Sequence, residues 1–181
     1  MGGPTIRVAV ISDTHMPGRG RTLPPACVER LRAADLIVHG GDWSDMATLA
    51  LIRGMGSPVV GVRGNVEDAA VRAALPATAE VEVGGLRIGA VHDGGPAAGR
   101  RERLRRRFAG VHLVVFGHSH IPLLEAAPDG FMILNPGSPT DRRRQPRHSM
   151  AEIALEHGAP PAVTFWAVDD PAGPLAPDLI A

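Results

Sequence analysis

The stretch that decides the fold is residues 6–15, IRVAVISDTH, in which a short apolar run ends in a polar turn. The run Ile6–Ile11 is rich in β-branched residues, which predicts a buried β-strand. Asp13 and His15 follow this strand directly. In an open α/β sheet, ligands bind beyond the carboxyl ends of the strands. The stretch therefore predicts both an α/β fold and a site at one edge of its sheet.

The same arrangement of apolar run and polar turn recurs along the chain. Further strands are predicted at Leu36–His39, Val59–Val62, Glu80–Val83, Leu86–Val91, Val111–Phe116, Leu123–Ala127, Phe131–Leu134, Met150–Leu155 and Ala162–Val168. Helices are predicted at Pro25–Ala34, Ser44–Met55 (with Ser44 as N-cap), Glu67–Leu75 and Ala97–Phe108. Strand–helix alternation followed by hairpins, such as the one across Gly84-Gly85, predicts a mixed sheet in an α/β layered fold.

Length and composition limit the protein class. The 181 residues suit one domain, 1–181, with a core of about 5–168 and a Pro-rich, loosely held tail at 169–181. Net charge is zero, Cys27 is the only cysteine, and no apolar run reaches the roughly 20 residues of a membrane helix. No signal segment is evident at the N-terminus, so we expect a soluble cytoplasmic protein without a membrane partner. All 19 basic residues are arginines, a side chain well shaped for phosphate.

Polar groups collect where the predicted strands end. Five turns carry seven potential metal ligands: Asp13, His15, Asp42, Asn65, His92, His118 and His120. Oxygen and imidazole ligands without thiolate suit Mn, Fe, Zn, Ni or Co. Seven ligands exceed the need of one ion with an open position, so two ions sharing a carboxylate fit better. Such a pair suits hydrolysis of a phosphate ester.

Each of these pieces also has a simpler interpretation. Asp13-Thr14-His15 and Gly41-Asp42 could be plain turns, and Gly64-Asn65 could be a left-handed turn. His118-Ser119-His120 is the strongest piece, because two imidazoles after a buried strand are costly without partners. Their common order, each at a strand end, favours one metal site.

The ordered motifs resemble those of a known family. Asp13-x-His15, Gly41-Asp42, Gly64-Asn65, His92 and Gly117-His118-x-His120 look like the five motif blocks of calcineurin-like metallophosphoesterases. The flanks of these blocks, together with Asn135-Pro136-Gly137-Ser138-Pro139, resemble the small YfcE-like phosphodiesterase branch. The resemblance covers roughly residues 5 to 168 and implies a four-layer α/β/β/α sandwich of mixed sheets.

The resemblance also implies roles for the seven residues. Asp13, His15 and His120 would hold one divalent ion, Asn65, His92 and His118 a second, and Asp42 would bridge them. A hydroxide between the ions would attack phosphorus. The likeness to the YfcE-like branch implies a phosphodiesterase, with Mn as the first candidate ion. Direct roles in the reaction are expected of Asp42, Asn65 and His118. A homodimer is a further expectation from the family.

Two positions depart from the family pattern. Val66 stands where many members carry a histidine that protonates the leaving group, so we expect better turnover of esters with good leaving groups. Asp93 replaces a small residue beside His92, and we expect it to face solvent rather than orient that imidazole. Glu67 matches a family acidic residue and is expected to support the site. His39 is expected to be buried, donating to the backbone or to a ligand carboxylate.

Two arginine clusters leave alternatives open. With Asn65, Arg142 and Arg143 are candidates to contact the substrate, against the alternative of a solvated basic loop. The arginines of residues 100–107 could bind an acidic partner or a nucleotide, contact another subunit or face solvent, and we expect solvent or a subunit contact.

Two rivals to the enzyme remain. Some superfamily relatives, such as the retromer scaffold subunit of eukaryotes, keep the fold and act as interaction platforms, and Val66 favours that alternative. A nuclease using the arginine-rich helix is the other. Nucleic acid is disfavoured as a partner because the chain has only four Phe, two Trp and no Tyr for base stacking. A small phosphorylated substrate is the expected partner.

Overall fold

The computed structural model describes residues 4–181 as two β-sheets packed face to face between two layers of helices. The strands are β1 (Ile6–Ile11), β2 (Leu36–His39), β3 (Val59–Gly61), β4 (Thr78–Val83), β5 (Leu86–Val91), β6 (Leu113–Val115), β7 (Leu123–Ala126), β8 (Met132–Asn135), β9 (Ser149–Leu155), β10 (Ala162–Ala167) and β11 (Gly173–Pro174). The α-helices are α1 (Pro25–Ala33), α2 (Met46–Arg53), α3 (Ala69–Ala74) and α4 (Arg100–Arg107). Gly18–Gly20 and Pro177–Leu179 form short 3-10 helices.

The strands divide into two mixed sheets. The first has the order β11-β10-β9-β1-β2-β3 and the second the order β4-β5-β6-β8-β7. Strands β1, β2 and β3 run parallel, as do β5, β6 and β8. The remaining pairs are antiparallel. Because parallel strands end at the same edge, each sheet presents several strand-end turns on one side.

Three apolar clusters hold the four layers together. The central one joins the inner faces of both sheets, for example Val10 and Ile153 of the first sheet with Ile88 and Val115 of the second. A second cluster packs α1, α2 and α3 on the first sheet, and a third packs Leu104 and neighbouring apolar residues on the second sheet. This arrangement confirms the predicted α/β/β/α sandwich of mixed sheets.

Three predicted helix starts differ from the structure. Helix α3 begins at Ala69 rather than Glu67, because the Asp68 carboxylate caps it by accepting the Val71 N–H at 2.8 Å. Ser44 lies in the left-handed region (φ 84°), and the cap of α2 is Asp45, whose carboxylate accepts the Thr48 N–H at 2.8 Å. Helix α4 begins at Arg100 rather than Ala97, because Gly99 adopts φ 68° and ends the preceding loop. The errors at α2 and α4 have the same physical cause, a left-handed residue just before the helix.

The C-terminal segment is held more firmly than we predicted. Strand β11 pairs with β10, and Leu175 is buried. Ala181 exchanges backbone hydrogen bonds with the region of β7, donating to the Pro122 carbonyl at 2.8 Å and accepting from the Leu124 N–H at 3.2 Å. The expectation of a loose tail from residue 169 is therefore wrong, since backbone pairing binds this Pro-rich segment to both sheets. Within residues 4–181, no helix has the length and apolar composition to cross a membrane.

Candidate metal centre

The strand-end turns of both sheets meet at one edge and bring all seven predicted residues together. Asp13 and His15 follow β1, Asp42 follows β2 and Asn65 follows β3. His92 follows β5, and the pair His118 and His120 follows β6. The convergence of the two sheets is what joins residues more than 100 positions apart, such as His15 and His120, whose Nε2 atoms lie 3.2 Å from each other.

One group of side chains gathers around Asp13. His120 Nε2 lies 3.2 Å and His15 Nε2 3.9 Å from Asp13 Oδ1. His15 Nε2 also lies 3.5 Å from Asp42 Oδ2. One ligand atom each from Asp13, His15 and His120 falls within 4.8 Å of the others, close enough to share one ion.

A second group gathers on the other side of Asp42. His92 Nε2 lies 3.3 Å from Asp42 Oδ1 and 3.0 Å from Asn65 Oδ1. His118 Nδ1 lies 3.2 Å from the same Asn65 oxygen and 3.3 Å from His92 Nε2. Asp13, too, offers an oxygen within 4.8 Å of Asp42 and His92, so the two groups adjoin each other.

Asp42 stands between the groups and has an unsatisfied oxygen. Its Oδ1 accepts the Asn65 N–H at 2.8 Å and the Val66 N–H at 3.3 Å. Its Oδ2 is buried and has no hydrogen-bond partner among residues 4–181. A buried carboxylate oxygen without a donor is costly, and a bound cation would satisfy it. This orphaned atom shows that the residues fit a metal ion.

The backbone around the site is strained at five of the seven positions. Positive φ angles occur at Asp13 (57°), His15 (46°), Asp42 (60°), His118 (69°) and His120 (59°). Non-glycine residues seldom adopt this region, and such strain clusters at functional sites. The turns are thus shaped to aim side chains inward rather than to minimise local energy.

Hydrogen bonds from the far ring nitrogens fix two imidazoles. His92 Nδ1 donates to the Gly40 carbonyl at 2.9 Å, and His120 Nδ1 donates to the Asp141 carbonyl. Each bond leaves the Nε2 atom facing the site. Carbonyl partners of this kind set the tautomer and orientation of metal-binding histidines.

The charges of the metal-free site are strongly coupled. Burial disfavours the charged form of His92, but its hydrogen bond to Asp42 and the attraction of Asp13 and Asp42 outweigh it and raise the pKa of His92 to about 9. Burial likewise acts against the charged form of Asp42, yet His92 and the Asn65 N–H lower the pKa of Asp42 to about 2. Burial lowers the pKa of His15, only partly offset by the carboxylates. The carboxylate therefore stays ionised and available to a cation.

Supporting residues tie the turns together. Glu67 is buried, and its Oε1 accepts the N–H groups of Asp42 (2.8 Å), Trp43 (3.3 Å) and Gly64 (2.6 Å), in line with the expected supporting role. A Cβ at Gly64 would overlap Asp42 Oδ1, so only glycine allows this close approach. Ser12 Oγ, which is not among the predicted site residues, donates to Asp13 Oδ2 at 2.6 Å.

The loop after β8 also supports the site. Asn135 Nδ2 donates to the Gly117 carbonyl at 2.8 Å, and Ser138 Oγ donates to the Asp13 carbonyl at 2.7 Å. Thr140 Oγ1 donates to the Thr14 carbonyl. In the sequence, the Asn-Pro-Gly-Ser-Pro stretch served only as part of the family resemblance, and no supporting role was predicted for it. Its place after a buried strand was the sequence signal that could have predicted this role.

The structure agrees with the prediction for Asp93 but only in part for His39. His39 is buried as predicted, but its Nδ1 accepts the Gly41 N–H at 3.1 Å instead of donating. Its proton therefore lies on Nε2, 3.3 Å from Thr14 Oγ1, and burial lowers the pKa of His39 well below its usual value. Asp93 is exposed and accepts the Gly95 N–H at 2.7 Å, as expected of a residue that does not orient His92.

The candidate substrate contacts lie at the open side of the site. Asn65, Val66 and His118 are exposed, whereas Asp13 and Asp42 are buried. Arg143 Nη1 donates to the His118 carbonyl at 3.0 Å, which places this arginine at the rim. Arg142 instead donates to the Gln145 carbonyl within its own turn.

Comparison with known proteins gives a consistent result. The family model described as the calcineurin-like phosphoesterase superfamily domain matches residues 6–158. The chain is 34% identical over 158 residues to a probable metallophosphoesterase of Methanocaldococcus jannaschii, covering 85% of this chain and 78% of that protein.

Solved structures share the fold at low sequence identity. Vacuolar protein sorting 29 from Cryptosporidium parvum superposes with a TM-score of 0.79 at 20% identity, covering 94% of this chain and 96% of that chain. Wild-type Vps29 of Entamoeba histolytica, solved in complex with Zn²⁺, gives a TM-score of 0.76 at 21% identity, covering 94% and 98%. At these identities the likeness concerns the fold alone.

Proposed function

The chain belongs to the calcineurin-like phosphoesterase superfamily, and from this membership we propose that it is a phosphodiesterase acting through two divalent metal ions. The family predicted from the five motif blocks is thus confirmed, and it supports a metal-dependent hydrolase of phosphate esters. The diester preference, the pair of ions and the choice of Mn²⁺ are our proposal. The Zn²⁺ in a structural neighbour keeps zinc among the candidate ions.

The observation that carries the proposal is the position of Asp42. Its Oδ2 faces His15 at 3.5 Å and its Oδ1 faces His92 at 3.3 Å, so one carboxylate serves both groups of ligands. We assign Asp13, His15 and His120 to the first ion and Asn65, His92 and His118 to the second, with Asp42 shared. Two divalent ions bound there would supply a nucleophile near neutral pH and neutralise charge on the phosphoryl group.

The chain's own residues decide which esters suit the site. Val66 is 42% exposed, and its side chain cannot donate a proton to a leaving group. Its N–H is directed to Asp42 Oδ1 instead. We therefore propose that diesters with good leaving groups are hydrolysed best. Asn65 and Arg143, at the open side, are the proposed contacts to the phosphate ester. Arg142 is the weaker candidate, because its guanidinium donates to the Gln145 carbonyl of its own turn.

The scaffold alternative rests on Val66, since a site without a proton donor suits a protein that has lost turnover. Against it stands the complete set of seven ligands, whose buried polar atoms a scaffold has no reason to keep. The two alternatives differ in one measurable property, which is hydrolysis by protein that holds both ions.

The test is hydrolysis of bis(4-nitrophenyl) phosphate after loading with Mn²⁺. We expect 4-nitrophenol release that EDTA abolishes and added Mn²⁺ restores. Asp42→Asn should lower metal content and hydrolysis together, whereas Asp178→Asn, an exposed carboxylate in the C-terminal segment, should change neither. Protein shown to hold two ions per chain, yet inactive with every divalent ion, would establish the scaffold instead.

A further inference from the structure

The arginines of α4 are used in two different ways. Arg100 and Arg103 donate to carbonyl groups of the loop 94–98, Arg101 to the Ala126 carbonyl, and Arg105 to Asp129. The guanidinium groups of Arg106 and Arg107 form no hydrogen bond or ion pair with any residue of the range 4–181. That of Arg107 lies 5.9 Å from the centroid of the Phe108 ring. The structure thus explains most of the arginine-rich helix as internal bonding and leaves its last two guanidinium groups for other roles.

Arg107 lines a cavity that adjoins the metal centre. The cavity has a volume of about 300 Å³, and Asn65, His92 and His118 form one side of it. Arg63, which directly precedes Gly64-Asn65, lines it together with Arg107. Two arginines from distant parts of the chain therefore line the space next to three proposed metal ligands.

The arginine on the β3 side is held in place by its backbone more than by its side chain. The Arg63 N–H donates to the Pro76 carbonyl at 2.9 Å, whereas its guanidinium makes one long hydrogen bond, 3.4 Å, to the Arg72 carbonyl. The side chain is exposed. Most of its five donors are thus available to a ligand in the cavity.

The two arginines that line this cavity outnumber its carboxylates. Asp93 is the one carboxylate that lines it, and this group accepts the Gly95 N–H at 2.7 Å. Neither Arg63 nor Arg107 lies within 4.0 Å of a carboxylate in the part of the chain that the structure describes. Guanidinium groups bind carboxylate and phosphate oxygens through paired hydrogen bonds. A cavity with two of them beside a phosphoesterase centre suits a second anion.

We propose that Arg63 and Arg107 form a second-anion subsite, which holds a carboxylate or phosphate group on the non-reacting part of the phosphate ester. The inference rests on the proposed function, because the subsite selects among substrates of the same centre. It narrows the substrate class to phosphate esters that carry an additional compact oxyanion.

The test compares esters that differ only in that anion. Mn²⁺-loaded protein is given 4-nitrophenyl phenyl phosphate, its 4-carboxyphenyl analogue and its 4-phosphonophenyl analogue, so that the leaving group stays the same. We expect wild type to prefer the charged esters about tenfold in kcat/KM, through KM, as a charge-assisted hydrogen bond pair would give. The ratio between the carboxylated and phosphonylated esters identifies the preferred oxyanion.

Matched variants locate the effect. Arg63→Gln with Arg107→Gln should remove the preference, whereas Arg106→Gln, one residue earlier on α4 and not lining the cavity, should retain it. Active wild type without a preference, or a double variant that keeps it, would overturn the subsite. Failure of the proposed function is a different result, namely that wild type hydrolyses none of the three esters.

If wild type hydrolyses none of the esters, an equilibrium binding measurement still tests the subsite. Calorimetric titration of 4-carboxyphenylphosphonate and phenylphosphonate needs no turnover. The subsite predicts that the double variant weakens binding of the carboxylated compound about tenfold more than that of phenylphosphonate. If the double variant weakens the binding of both compounds equally, that result would contradict the subsite.

Discussion

Glu67 holds the Asp42 turn in place: its Oε1 atom accepts the Asp42 N–H at 2.8 Å, although 25 residues separate the two. The same oxygen accepts the Gly64 N–H at 2.6 Å, so one buried carboxylate joins the turns after β2 and β3. Because Asp42 and Asn65 lie on these turns, Glu67 sets the spacing of two proposed ligands.

This relationship predicts that Glu67→Ala destabilises the metal-free protein by about 2 kcal/mol, since several buried N–H groups lose their acceptor. Glu67→Gln keeps an oxygen at that position and should recover more than half of the loss. Urea denaturation in the presence of a chelator measures both variants. Equal stability of Glu67→Ala and wild type would show that water replaces the carboxylate without cost.

Ser138 offers a second test of how the turns are held. Its hydroxyl donates to the Asp13 carbonyl at 2.7 Å and accepts the Asp141 N–H at 2.8 Å, and the Asp141 carbonyl in turn accepts from His120. Ser138→Ala should cost roughly 1–3 kcal/mol of unfolding free energy and lower metal affinity about tenfold or more.

The control for this variant is Ser57→Ala, which also removes a hydrogen bond to a backbone carbonyl, that of Ala34, but far from the site. Urea denaturation and metal titration together separate the two variants. We expect Ser57→Ala to lower stability with metal affinity unchanged. If both variants weaken metal binding equally, the effect of Ser138 is only general destabilisation.

The coupled pair His92 and Asp42 predicts a pH dependence for the metal-free protein. The pKa of His92 is raised from 6.5 to about 9. Its contribution to the unfolding free energy is therefore complete below pH 6.5 and is lost as the pH rises to about 9. The unfolding free energy should fall over this interval by up to about 3 kcal/mol. The pKa of Asp42 is lowered to about 2, so its contribution is lost only in strong acid.

Urea denaturation at several pH values in the presence of a chelator measures this slope. Asp42→Asn removes the carboxylate that is hydrogen-bonded to His92, while Asp13 remains, so it should reduce the dependence between pH 6.5 and about 9. A slope of wild-type size in Asp42→Asn would mean that another group titrates in this interval.

The sequence predicted where the site lies better than it predicted the residues that hold the turns of the site in place. Asp13, Asp42, Asn65, His92 and His118 could be located because each follows a short apolar run, and strand ends meet at a sheet edge. The pattern alone did not indicate that the turns of two different sheets face each other. That convergence depends on sheet packing, which enters through the family resemblance.

Other details depended on backbone geometry that composition does not encode. Ser44 and Asp45 are both good N-cap residues, and only the left-handed backbone at Ser44 decides for Asp45. His39 was predicted as a donor, but the direction of its hydrogen bond to Gly41 follows from the turn. The Pro-rich tail looked loose because pairing of β11 with β10 is a long-range contact.

The central claim is that turns from both sheets hold two divalent ions with Asp42 between them. The most direct measurement is anomalous X-ray scattering from crystals of the protein grown with Mn²⁺. We predict two peaks, one beside Asp42 Oδ2 among Asp13, His15 and His120, and one beside Asp42 Oδ1 among Asn65, His92 and His118. A single peak, or no peak within coordinating distance of Asp42, would contradict the account.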